Sequence, residues 1–104
     1  MSTMLEPQPE IIADAVLMSR LARRDSTALV ELERRHRASL YAQAYGTLMD
    51  AIAAERVVQD AFAQLWFIAA DYSGKRSVWT LLRDMAKDLV RAERALRDSP
   101  VRRR

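Results

Sequence analysis

Arg83, Lys87, Arg91 and Arg94 stand three and four residues apart, a spacing that stacks four cations along one helix stripe together with Thr80. Trp79 lies beside that stripe, and Tyr72, Lys75 and Arg76 come just before it. Cations neutralise phosphates and supply salt-dependent affinity, while aromatic faces stack on unpaired bases at ~1 to 3 kcal/mol per base. The combination suits a single strand of nucleic acid. Its plainer counterpart is a solvated helix face with Trp79 packed on the edge of a bundle, since Trp is largely buried on average.

Catalytic patterns are missing. General acid-base or nucleophilic work needs a base beside a nucleophile and usually a third group to orient them, and this chain has one His and no Cys. It is not expected to be an enzyme. Glu33 and His36 match the E-x-x-H spacing of carboxylate-bridged metal bundles, but such a site needs two of these motifs, which only a symmetric dimer could supply. A single His on an otherwise apolar helix face is expected to be a packed core residue, with no metal and no cofactor.

Charge is distributed unevenly. From Lys75 onward there are ten basic residues and four acids, a net +6, against −3 for everything before it. Such asymmetry points to a polyanionic partner at the C-terminal end. With 104 residues, half of them hydrophobic, the chain has room for one core of three or four helices. The lack of Cys excludes disulfides and thiolate metal sites and fits a reducing cytoplasm. No apolar run approaches the ~20 residues of a membrane span, and the N-terminus, with its acids and prolines, is unlike a signal peptide. A cytoplasmic, all-α domain without a membrane partner is expected.

The elements that would position the stripe follow from periodicity. Residues 1–12 are expected to be a disordered leader, 13–98 the helical domain and 99–104 a basic tail. The first helix, to about Arg24, offers Val16, Leu17, Leu21 and Ala22, with Met18 as a gap filler. Asp25-Ser26-Thr27 is a helix start signal, and Leu29, Leu32, His36, Leu40 and Ala44 mark the buried side of the second helix. Gly46 and Met49-Asp50 mark a break, Asp50 serving as a cap.

The central helix is expected within Ala53 to Tyr72, burying Ala54, Val58, Ala61, Phe62, Leu65 and Ala69. Arg56, Gln59, Asp60 and Ala63 form a polar strip on its opposite side. Asp71 to Ser77 reads as a loop. Ser77 can cap a last helix, about Val78 to Asp98, whose core seam would be Val78, Leu81, Leu82, Met85, Leu89, Ala92 and Leu96. Asp84 and Asp88 fall to one side of the basic stripe.

The run AERVVQDAF followed by LW resembles the second conserved region of bacterial sigma factors of the extracytoplasmic-function group, whose usual form is AEDVVQEVFxxLW. The likeness extends more loosely from about Asp14 to Arg97. It implies a bundle like sigma region 2 that binds the clamp helices of core RNA polymerase through Arg56, Gln59, Asp60 and Ala63. It also implies binding of the upstream part of the promoter melting element, as single-stranded non-template DNA. The surface for this would be Tyr72, Lys75, Arg76, Trp79, Thr80, Arg83, Lys87, Asp88, Arg91 and Arg94. An anti-sigma factor is a further partner that the resemblance implies.

Several positions depart from the family pattern. Arg56 stands where an acid is usual, Asp88 where Asn is usual, Ala92 where Asp is usual and Ala95 where Arg is usual, with Arg94 one place earlier. The family's Trp falls on Leu81, two residues from Trp79, and its Gly-Asp turn is Arg24-Asp25. Arg56, Asp88 and Ala92 support a second expectation: a sigma-like interaction module that binds polymerase or an anti-sigma factor without recognising a promoter.

Overall fold

Helices begin in this chain where a side-chain oxygen meets backbone N–H groups that have no partner within the helix. A computed structural model, which describes residues 12–98, places α1 at Asp14–Ala22, α2 at Ser26–Leu48, α3 at Ala51–Ile68 and α4 at Val78–Asp98. A short 3-10 turn, Ala69–Asp71, follows α3. The Asp25 carboxylate accepts from the Thr27 N–H at 3.0 Å, that of Asp50 accepts from the Ala53 N–H at 3.0 Å, and the Ser77 hydroxyl accepts from the Thr80 N–H at 3.1 Å. All three expected start signals therefore open helices. The described residues are all-α, with four helices, and none of these is long and apolar enough to cross a membrane. Apart from Ile12, the expected leader and the tail at 99–104 lie outside the described residues.

The turns need left-handed backbone. Arg24 (φ 67°) ends the α1 turn and Met49 (φ 52°) ends α2, both without being glycine. Gly46, expected to mark the break, lies inside α2 instead. The helix runs on past it because Leu48, one turn beyond Ala44, is itself a buried core position.

All six positions expected to be buried on the central helix are buried, the last of them, Ala69, in the 3-10 turn after α3, and Ala53 and Val57 join them. Phe62 and Leu65 meet Leu17 and Leu21 of α1, Leu32 and Leu40 of α2 and Leu82 of α4 in a single apolar cluster. Each large side chain so buried contributes about 1.5–3 kcal/mol relative to exposure. On α1 the buried residues are Leu17, Met18 and Leu21, whereas Val16 is 49% exposed.

The seam of α4 departs from expectation in its distal half. Val78, Leu81 and Leu82 are buried and Met85 and Leu89 pack half-buried against the core, but the fully buried line continues through Ala86 and Val90, while Ala92 is exposed and Leu96 is 58% exposed. Beyond Val90 the inward positions are charged. Glu93 pairs with Arg56 of α3 at 2.8 Å, and Arg97 pairs with Asp50 at 2.8 Å. There α4 meets the α2–α3 corner through ion pairs, which a seam drawn on hydrophobicity alone does not register.

Candidate nucleic-acid and partner surfaces

The basic stripe runs along α4. Eight arginines form ion pairs among the described residues: Arg20, Arg34, Arg35, Arg37, Arg56, Arg76, Arg91 and Arg97. Arg83, Lys87 and Arg94, by contrast, have no ion pair or side-chain hydrogen bond among those residues. Arg83 is half-buried, and its Nε is buried without a hydrogen-bond partner, while Lys87 and Arg94 are exposed. Arg91 is held by Asp88 at 2.9 Å, a pair in which both side chains stand in solvent. In such a medium it is worth little.

The loop ahead of the stripe is braced from within. The Tyr72 hydroxyl donates to the Arg76 carbonyl at 2.5 Å, and the Arg76 guanidinium reaches Asp84 at 2.6 Å. Gly74, at φ 84°, supplies the left-handed backbone of the turn. Tyr72 is half-buried, Lys75 is exposed, and Thr80 is half-buried beside Ser77. Trp79 is half-buried too. Its ring stacks on His36 at 5.9 Å between centroids, with 24° between the planes. The indole therefore leans on α2, with one face engaged.

His36 is half-buried rather than sealed in the core. Its Nε2 lies 2.7 Å from Asp14 Oδ2, and Arg35 donates to the other oxygen of Asp14 at 2.8 Å. Arg35 also reaches Glu31, as does Arg34. Hydrogen bonds from Arg34, then Arg35, hold the Glu31 carboxyl down at about 2. Asp25 is lowered by Thr27 and Arg20, and Asp50 by the Ala53 N–H and Arg97. Asp25 and Asp50 cap the starts of α2 and α3, whereas Glu31 pairs along α2 itself.

On α3 the polar strip is exposed as a unit: Arg56, Gln59, Asp60 and Ala63 all face solvent. Gln59 and Asp60 have no side-chain partner among the described residues, whereas Arg56 is tied to Glu93 of α4. Ile52, 74% exposed, and Phe67, 73% exposed, extend the strip at its two ends. Continuing the same spacing of three and four backward and forward from Arg56 and Ala63 would have found both. At the other edge of α3, Arg24 donates to the Trp66 carbonyl at 2.7 Å and lies 4.8 Å over the Trp66 ring.

Two residues of α2 lie across a crease from the α4 stripe, without a signal in the sequence. Gln43 and Thr47 line a crease with Lys87, Val90, Arg91 and Arg94. Only the packing of α2 against α4 brings them together. No protein-family model, curated protein or solved structure matches the chain.

Proposed function

We propose that this domain is a transcription-initiation domain of sigma-factor type. In this reading α3 docks on core RNA polymerase through Gln59, Asp60 and their flanking residues, and α4 holds a single promoter strand. The observation that carries it is the row of Arg83, Lys87 and Arg94 left without carboxylates, among described residues that pair eight other arginines. Cations not engaged within the fold are available to phosphates. The left-handed Arg24 also supports the resemblance, because the family's glycine at that turn is the residue such a backbone favours.

No catalytic group is required. Opening a duplex by binding follows from capture of unstacked bases, which offsets the few kcal/mol that extruding a base costs. Asp60→Arg tests the docking surface because Asp60 is exposed and has no described partner, so the substitution reports on binding and not on folding. Co-purification with core polymerase that is lost in this variant is the expected result. Equal recovery of wild type and variant would overturn the docking surface.

A second reading, an interaction module without promoter recognition, is favoured by one set of contacts. Arg76 and Arg91 are neutralised by Asp84 and Asp88, Trp79 leans on His36, and apolar Ile52 and Phe67 bracket the α3 strip. Preference for a promoter-like single strand over a scrambled one separates the two readings. Polymerase or anti-sigma binding with no such preference leaves the module.

A further inference from the structure

We propose that the crease between α2 and α4 binds a small molecule bearing a diphosphate group, at a site that shares the cations of α4 with a strand along its outer face but adds Gln43 and Thr47 of α2. The crease is an open groove of about 300 Å³, lined by Gln43 and Thr47 on one wall and Lys87, Val90, Arg91 and Arg94 on the other. That volume is at the small end of ligand sites, which run from ~300 Å³ upward. Three cations and no carboxylate line it. The acid beside it, Asp88, is largely in solvent and grips Arg91 from outside. Lys87 and Arg94 face no counter-charge among the described residues.

Shape narrows the ligand further. The Gln43 side-chain amide donates to the Arg83 carbonyl at 3.3 Å and so pins α2 to α4 at one end of the crease. One turn along α2, Thr47 lines the same wall, and the buried Val90 contributes apolar surface opposite. Lys87 and Arg94 are seven residues apart, ~10.5 Å along the helix axis, with Arg91 between them. A single phosphate would reach neighbours at one end only, whereas two linked phosphoryl groups can be shared among all three cations. A nucleic-acid strand on the outside of α4 would meet the same cations but not Thr47, which lies across the crease.

Titration calorimetry of the full chain with inorganic diphosphate tests the site, with a single-stranded oligonucleotide titrated in parallel. Saturable binding of one diphosphate per chain is expected. Lys87→Ala should weaken it about tenfold and Thr47→Val by roughly fivefold, as befits loss of a charged and a neutral hydrogen bond. Thr47→Val should leave oligonucleotide binding unchanged. Both residues are exposed, so thermal melts are expected to match wild type. Absence of saturable binding by wild type, or diphosphate binding that both substitutions leave intact, would overturn the proposal. Diphosphate binding in a chain that ignores the oligonucleotide would sink the promoter reading alone.

Discussion

The corner where α1 meets α2 and the stripe along α4 use charge in opposite ways. At the corner, Asp14 bonds both His36 and Arg35, Glu31 bonds Arg34 and Arg35, and Asp25 bonds Arg20. On α4, Arg83, Lys87 and Arg94 have no carboxylate among the described residues, although Asp84 and Asp88 lie on the same helix. Those two acids pair with Arg76 and Arg91 instead. The contrast teaches that Arg35 and His36 tie α2 to α1 through Asp14, whereas Lys87 and Arg94 of the stripe are exposed, contribute little to the fold and are open to a ligand.

The strongest way to break that division is to remove Asp14. Its side chain, like those of Arg35 and His36, keeps only about a quarter or less of its surface in water, so Asp14→Ala leaves a half-buried ring and guanidinium short of a partner. After allowance for screening, the loss is about 1–2 kcal/mol, read as a lower urea midpoint. Single-strand binding should not change. A variant that lost its nucleic-acid affinity while still folded would show that the corner and the stripe are not separable.

Lys87→Ala and Arg94→Ala are the converse. Stability should stay within about 0.5 kcal/mol of wild type, as for surface substitutions away from special contacts. The slope of log affinity against log salt for a single strand should flatten by about 0.7 per residue removed. If the slopes of both variants equal that of wild type, the stripe is a solvated face.

The two left-handed turns repeat the contrast in the backbone. Arg24 compensates its strained φ with the Trp66 carbonyl and ring, whereas the Met49 side chain is 68% exposed. Met49→Gly should therefore raise stability by about 0.5–1 kcal/mol, and Arg24→Gly should be closer to neutral. Thermal melts of the two variants rank them directly. A larger gain for Arg24→Gly would mean that the contact with Trp66 contributes nothing.

Much of the scaffold was legible in the sequence because it rests on local rules. The buried side of α3, the caps Asp25, Asp50 and Ser77, and the span of α4 each follow from spacing within a few residues. What escaped depends on contacts across the chain. Glu93 and Arg97 turn the distal seam of α4 toward Arg56 and Asp50, at separations of 37 and 47 residues. The partition of the stripe into paired and unpaired cations, and the crease built with Gln43 and Thr47, likewise exist only once α2 and α4 are packed. Periodicity found the stripe but could not say which of its members the fold already engages.

Acid gives the smallest and most selective test of the corner. The Glu31 carboxyl, ordinarily near 4.5, is held at about 2 by Arg34 and Arg35, and Asp25 and Asp50 are lowered as well. A carboxylate with a depressed folded-state value contributes stability above its unfolded value, and that contribution fades as pH falls toward the folded one. For Glu31 the window lies between about 4.5 and about 2. Glu31→Gln should therefore melt below wild type at pH 6, with the gap closing as pH approaches 2. The effect is small because the pair is open to solvent. A gap that stays constant across this range would mean that the substituted amide differs from the carboxylate by something other than charge, and the corner would then owe less to ionisation than its geometry implies.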